Sequence, residues 1–390
     1  MMVRGKPWRV VIAPDKFKGS LAAPEVAAAL AAGIAREAPD AEVRQVPVAD
    51  GGDGTVDAFV AAGWERVRVD TVGPTGAPHS ASYAVRGDTA VVELAAAVGL
   101  VELPDGRTDP MGASTYGLGV LIRHALDHGL REVVLGLGGS ASTDGGAGML
   151  QALGLRILDE NGTEIGSGAA ALARARRLDY SDLHPAVRDT VFVIAGDVDN
   201  PLLGPDGAAA VFAPQKGASP RQCAELEAIL AQWAHLVDTS GHPFGTGDAH
   251  ERRAALAGHP GAGAAGGTGF GAMAVLGARQ RSGIEVILEL IDFAARVRDA
   301  DVVVTGEGAM DEQTLRGKAP AGVAAAAGAA DVPVVAVAGR CTLTPERLRA
   351  AGFARCYPLS DLESDSERSI AEAARLLEEL GTRIARDYLM

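Results

Sequence analysis

Hydrophobic and polar positions change period several times along the chain. An apolar run at 9–13 is closed by the loop PDKFKGS, and beyond Pro24 residues 25–36 have helical composition. A second β run at 42–48 ends in ADGGDGT and is again followed by a helical stretch, which predicts a βαβα opening. The period then shortens. Runs at 67–72, 81–85 and 90–94, separated by GPTGAPHS and RGD, have the pattern of an antiparallel meander. A helix at 113–128 and a strand at 132–137 restore the alternation, with a further strand at 191–195 and a helix at 221–237. Residues 259–277 are rich in Gly and Ala but interleaved with Phe270, Met273, Val275 and Leu276, which predicts a close-packed loop and helix instead of a linker. From 299 the opening style returns: a strand at 301–305, a helix after Pro320, a strand at 333–338, a helix from Pro345, a strand at 354–359 and a closing helix at 366–388.

The two ends therefore share one style and the middle another. The economical reading is an α/β protein in which 1–64 and 286–390 form one doubly wound parallel-sheet domain, with 65–285 inserted as a second α/β domain. No fixed-period repeat interrupts it.

Composition narrows the function classes. A length of 390 residues suits two domains, and 47% hydrophobic with 22% charged residues is ordinary for a soluble enzyme. Aromatics are only 4%, so Ala, Val and Leu must pack the cores. The 50 glycines amount to about 13% of the chain, nearly twice typical usage, with no collagen-like period. A net charge of −14 argues against nucleic-acid partners, which need a basic face. Cys223, Cys341 and Cys356 are odd in number and widely spaced, which fits reduced thiols in a cytoplasmic protein. No signal peptide is expected from MMVRGKPWRVVIAPD, and the most apolar stretch, 319–339, is split by Asp331 and Pro333, so no membrane partner is expected either.

The chemistry gathers at strand ends. Asp15 follows the first predicted strand, Asp50 and Asp53 the second, Asp144 the strand at 132–137, Asp197 and Asp199 the strand at 191–195, and Glu307 and Asp311 the strand at 301–305. In open parallel sheets ligands bind beyond those ends. Lys16, Lys18, Lys216 and Lys318 occupy the same or similar loops. Carboxylates for Mg²⁺, lysines for phosphate oxygens and bare backbone N–H groups are the parts phosphoryl transfer uses. Against this stands the plain reading of each Asp-Gly as a turn, and of Asp144 as a helix N-cap.

The run GLGGSASTDGGAGM at 136–149 admits three readings. It fits the dinucleotide fingerprint G-x-G-x-x-A, with Asp159 about twenty residues on, although Asp-Gly-Gly falls where the helix should already run. It is similar to the phosphate loop of the galactokinase and mevalonate kinase family, without that family's partner motifs. Or it is a nest of N–H groups with Ser140, Ser142 and Thr143 adding hydroxyls ahead of a helix N-terminus. The third needs the fewest exceptions. No Walker A motif occurs. His124 and His128 have the i, i+4 spacing of zinc ligands but lack H-E-x-x-H and a third ligand, and Arg174, Arg176 and Arg177 read as a solvated surface.

Taken together, VVIAPDKFKGSL, VPVADGGDGTVDAF, GLGGSASTDGGAGMLQALG, AGDVDNPLLG, FAPQKGAS, PGAGAAGGTGFG, SGIEVIL and VVTGEGAMDEQTLRGKAP are collinear with, and resemble, the bacterial type I glycerate kinases. The resemblance implies ATP- and Mg²⁺-dependent phosphorylation of D-glycerate to 2-phosphoglycerate. It also implies a flavodoxin-like domain interrupted by a restriction-endonuclease-like α/β domain, with the active site in the cleft between them, in a monomer or homodimer. Lys18 and Lys318 are then candidates for the glycerate carboxylate or the transferring phosphate. Asp197 or Asp311 would accept the hydroxyl proton, and Glu307 and Asp50 would contact the metal. The candidate substrate and nucleotide contacts in the first two motifs are Asp15, Lys16 and Ser20, then Asp50, Gly51, Gly52 and Asp53. In the glycine run they are Gly138, Gly139, Ser140, Thr143, Asp144, Gly145 and Gly146, and elsewhere Asn200, Gln215, Lys216 and Gly306. The chain departs from the family's pattern in two places: many members have an arginine in the loop where Tyr116 stands and others in the segment of Ala309, and either would suit the glycerate carboxylate. Lys16, Lys18, Arg316 and Lys318 are the cations left for that role. Two other classes stand beside this one: a nicotinamide-dependent hydroxyacid dehydrogenase and a catalytically silent metabolite-binding protein.

Overall fold

The computed structural model describes residues 6–241 and 255–390, with Arg316 described by its backbone alone. Its strands, in chain order, are β1 (Arg9–Pro14), β2 (Glu42–Gln45), β3 (Glu65–Val72), β4 (Pro78–Arg86), β5 (Thr89–Glu93), β6 (Glu132–Gly136), β7 (Arg156–Leu158) and β8 (Arg177–Asp179). They continue with β9 (Val191–Ala195), β10 (Arg279–Arg281), β11 (Val302–Met310), β12 (Val334–Cys341) and β13 (Phe353–Pro358). The chain divides into two compact units. The first comprises residues up to Asp50, Asp57–Trp64 and Ser282–Met390; the second comprises Gly51–Val56 and Glu65–Arg281.

The first unit holds a wholly parallel sheet in the order β13-β12-β11-β1-β2. Counting only this unit's strands, the order is 2-1-3-4-5, and it reverses between β1 and β11. Strands covered on both faces read as unbroken apolar runs instead of alternating ones. Val10, Val11 and Ile12 of β1 and Val302, Val303 and Val304 of β11 are all buried accordingly. The helix Ala23–Glu37 packs on the helix Ala373–Tyr388 with backbones touching, because a Cβ on Gly33 would run into the Glu378 carbonyl and one on Gly381 into that of Leu30. Close approach is what outweighs the helix cost of those glycines. The single closing helix expected at 366–388 is in fact two, Ser366–Ala371 and Ala373–Tyr388, parted at Glu372.

The second unit holds a mixed sheet in the order β10-β9-β6-β5-β4-β3. Its β3-β4-β5 portion is the antiparallel meander read from the short β runs, and β5, β6, β9 and β10 run parallel. The helix Pro220–Thr239 starts at a capping box of Ser219 and Gln222 and buries Leu226, Leu230 and Trp233. The Gly/Ala-rich segment is packed as expected: Ala264–Gly271 is helical apart from left-handed Ala265, Gly266 and Gly267, and leads into a wider turn at Ala272–Leu276 whose residues are all buried. Among the described residues no helix is long and apolar enough to cross a membrane.

Candidate active site

In the first unit the strand order reverses at the β1/β11 pair, and ligands of doubly wound sheets bind at the carboxyl ends of such a pair. Asp15 follows β1 directly, and its N–H donates to the Gly306 carbonyl of β11 at 2.8 Å. Glu307 lies in β11 itself, since that strand runs on to Met310 instead of ending at 305 as the apolar run suggested. Gly306 is needed there because a Cβ would run into the Val337 carbonyl of β12.

Asp15 is buried, with a carboxylate oxygen accepting the Lys16 N–H at 2.7 Å. Burial first, then repulsion from Asp50 and more weakly from Glu307, lifts its pKa to about 7. Burial likewise raises the Glu307 carboxyl, and Asp50 adds to the rise. Two contacts work against it: Thr314 Oγ1 donates to Glu307 at 2.5 Å, and the Lys318 ammonium stands 3.6 Å away. The same Thr314 hydroxyl accepts the Asp311 N–H at 3.0 Å, while the Asp311 carboxylate closes a turn on the Gln313 N–H at 2.8 Å. Asp15, Asp50, Glu307 and Lys318 thus share one electrostatic field. Lys16 is half-buried and Lys18 exposed, and the Lys18 backbone lies 3.3 Å from where a Gly308 Cβ would be. Ser20 is turned to other work, donating to the Ile370 carbonyl at 2.8 Å. Asp53 is exposed, and the side chain of Arg316 lies outside what is described.

The second unit carries the glycine-rich run, and here the strand-end expectation needs correction. Asp144 is wholly buried and its carboxylate is filled by protein donors. One oxygen accepts the Thr115 N–H at 2.8 Å, Thr115 Oγ1 at 2.9 Å, Ser114 Oγ at 3.3 Å and the Gly148 N–H at 3.2 Å; the other accepts the Gly146 N–H at 3.2 Å. The helix that follows, Ala147–Ala152, is short, and its N-cap is Gly146 instead of Asp144. The anion at these N–H groups is therefore the protein's own. Gly145 is pressed against Trp233, whose indole N–H donates to the Gly145 carbonyl at 3.1 Å, and a Cβ on Gly146 would lie 3.2 Å from Thr268 Cα. Residues 141–150 are buried throughout, Thr143 included; Gly138 is half-buried and Gly139 exposed. Many of these glycines answer to neighbouring backbone, which is why the run reads like a ligand loop.

The remaining candidates divide similarly. A Cβ on Gly138 would lie 2.6 Å from Gly52 Cα, and the Gly138 N–H donates to the Gly51 carbonyl at 3.4 Å. Ser140 Oγ pairs with Ser142. Asp197, Asp199 and Gln215 are exposed, Asn200 donates to the Asp206 carbonyl at 2.9 Å, and Lys216 is buried. Asp159 closes its own turn, accepting the Asn161 and Thr163 N–H groups at 2.9 Å each, which removes the acid that the dinucleotide reading required. The rings of His124 and His128 stack 4.1 Å apart, with His124 Nδ1 on Tyr83 Oη and His128 Nδ1 on the His124 carbonyl.

Two supporting residues escaped the sequence reading. Buried Glu93 accepts the Gly54 and Val56 N–H groups at 3.0 Å each and so fixes the ADGGDGT loop. An acid at the end of an otherwise apolar strand, VVELAAA, was the available signal. Thr314 gave none, because its role depends on the fold bringing it to Glu307.

The profile of the glycerate kinase family matches residues 10–389. A glycerate kinase of Bacillus subtilis (strain 168) is 42% identical over 97% of this chain and 96% of its own. A glycerate 2-kinase of Escherichia coli (strain K12) is 44% identical over 86% of each chain. A crystal structure from Salmonella typhimurium LT2, which carries glycerate kinase 2 as a proposed name, superposes with a TM-score of 0.82 at 37% identity, covering 98% of both chains. By profile, sequence and structure together, the chain belongs to the glycerate kinase family.

Proposed function

We infer that this protein transfers the γ-phosphoryl group of ATP to a hydroxyl of glycerate, forming 2-phosphoglycerate from the D-enantiomer. The observation that carries the reading within this chain is the Asp15–Asp50–Glu307–Lys318 group at the reversal of strand order. The family supplies the reaction class and the Escherichia coli relative's name the position of transfer. The 2-1-3-4-5 strand order supports a flavodoxin-like description of the first unit. The mixed sheet of the second leaves its restriction-endonuclease-like description as part of the proposal.

A cation fits this group. Asp15 retains a proton to about pH 7 partly because Asp50 and Glu307 repel its charged form. Among the described residues no three His, Cys, Asp or Glu side chains are grouped to cage a metal ion. Magnesium does not demand a cage, since it binds through one or two carboxylates and completes its shell with phosphate oxygens and water. Asp50 and Glu307 are the carboxylates that would hold it, where it would neutralise charge on the nucleotide phosphates.

The chain's own groups do the rest. Lys318, held beside Glu307, offers its ammonium to phosphate oxygens, and exposed Lys18 would pair with the glycerate carboxylate. Asp311, four residues beyond Glu307 on the same turn as Thr314, accepts the hydroxyl proton at its carboxylate as the hydroxyl attacks. Its main effect is orientation, because phosphoryl transfer leaves a protein little covalent work. The test is ³¹P NMR of mixtures of enzyme, ATP, Mg²⁺ and a panel of short hydroxyacids. The expected result is ADP and the 2-phosphate monoester with D-glycerate; no new phosphomonoester resonance with any acid would overturn the assignment.

A further inference from the structure

Lys216 ends the short turn Pro214–Lys216 and is only 2% exposed. Its ammonium donates to the carbonyl of Ser142, inside the glycine-rich run. That carbonyl also accepts Ser140 Oγ at 3.3 Å, and the Ser142 N–H donates back to Ser140 Oγ at 3.2 Å. Ser140 in turn follows Gly139, the exposed residue of the run, whose carbonyl accepts the Leu100 N–H at 2.9 Å. A continuous set of contacts therefore leads from a buried cation to the exposed backbone of the loop. Space for the cation is kept by Gly266, at φ 66°: a Cβ there would run into the Ser142 carbonyl, lie 2.7 Å from Thr143 Cα and 3.0 Å from Lys216 Nζ. Beside it Thr143 Oγ1 is buried with no hydrogen-bond partner among the described residues. Among the described residues Asp144 is the one charged group acting on the ammonium, and the Ser142 carbonyl and Gly266 beside it are neutral. Burying an ammonium is costly, and a methionine would fill the same volume without that cost, so packing alone does not account for a lysine here.

We propose that Lys216 is a positioning residue for the phosphoryl-transfer reaction: its ammonium holds the Ser142 carbonyl and so fixes the backbone that leads through Ser140 to the exposed Gly139. This rests on the kinase reading above. Burial lowers the Lys216 pKa to about 7, with Asp144 opposing the fall, so the cation is lost as pH rises through neutrality.

The experiment compares wild type, Lys216→Met and Lys216→Arg for fold by thermal melting, then for kcat/KM between pH 6 and 9. Wild type is expected to lose kcat/KM as pH rises past about 7. Lys216→Met is expected at least tenfold below wild type at pH 6.5, without that alkaline limb. Lys216→Arg, charged throughout this range, is expected to recover at least tenfold over Lys216→Met and to hold its rate to pH 9. A folded Lys216→Met with the wild-type rate and limb would overturn the proposal, as would Lys216→Arg with an unmoved limb. Should Lys216→Met not fold, the Lys216→Arg limb decides alone. Should wild type show no turnover of glycerate and ATP, the kinase reading fails by itself. Hydrogen exchange then tests the clamp: protection at residues 140–142, corrected for intrinsic rates, should fall at least tenfold above pH 7 in wild type and stay constant in Lys216→Arg. Equal pH dependence in both contradicts it.

Discussion

Asp50-Gly51-Gly52 and Asp144-Gly145-Gly146 are the same three letters after a β run, and the fold puts them to opposite uses. Asp144 is wholly enclosed, accepts from five protein donors and pins the start of one helix to residues before another. Asp50 stays half-exposed, and its charge adds to the burial that raises the carboxyl pKa of Asp15 and Glu307. Asp144 is enclosed by the protein; Asp50 stands beside other acids whose mutual repulsion a cation would relieve. An acid's place at a strand end is therefore weak evidence of chemistry, and full enclosure among buried donors marks Asp144 as scaffold.

Breaking each side should give different phenotypes. The largest effect is expected from Asp144→Ala, which orphans buried N–H and O–H groups and should cost about 3–5 kcal/mol of unfolding free energy in urea titrations. Next, Glu307→Gln should lower kcat about 100-fold, the usual scale for a lost electrostatic contact in a transition state, with a melting temperature near wild type. Thr314→Ala, which frees Glu307 of its hydroxyl donor, should lower kcat about tenfold and move the acid limb of the pH–rate profile upward, because that hydrogen bond holds the Glu307 carboxyl down.

Asp15→Asn sharpens the comparison through stability. A carboxyl near pKa 7 in the fold and 3.8 unfolded binds more protons when folded, so wild-type stability should fall as pH rises from about 4 to about 7. Asp15→Asn should lose that slope, read from urea midpoints across the range. The smallest effect is expected at Gly139, where φ is 75° and a new Cβ would meet Ala95 Cβ at 3.1 Å. Gly139→Ala should cost about 1 kcal/mol and raise KM for ATP several-fold with kcat little changed.

Much of the fold was legible because its signals are local. The unbroken valine runs of β1 and β11, the short runs of the meander and Pro at helix starts each announce an element without tertiary help. Errors came where packing overrides pattern. Residues 307–310 extend β11 along β12, and the break at Glu372 has no Pro or Gly to mark it. At the site, the acids and lysines of the first unit could be named from strand ends. Glu93 carried the same strand-end signal but acts on a loop 37 residues earlier, while Thr314 and the inward turn of Asp144 depend on how the fold places their partners. Glycines misled most: those at 145 and 146 serve a tryptophan and a neighbouring loop, contacts that no spacing rule encodes.

The division of labour between the two Asp-Gly-Gly loops is tested most directly by measuring urea unfolding and kcat side by side for Asp50→Asn and Asp144→Asn. Asp50→Asn should unfold within about 1 kcal/mol of wild type yet lose about 100-fold in kcat, while Asp144→Asn should lose about 3 kcal/mol of stability. An Asp144→Asn protein as stable as wild type but inactive, or an active Asp50→Asn, would contradict the account.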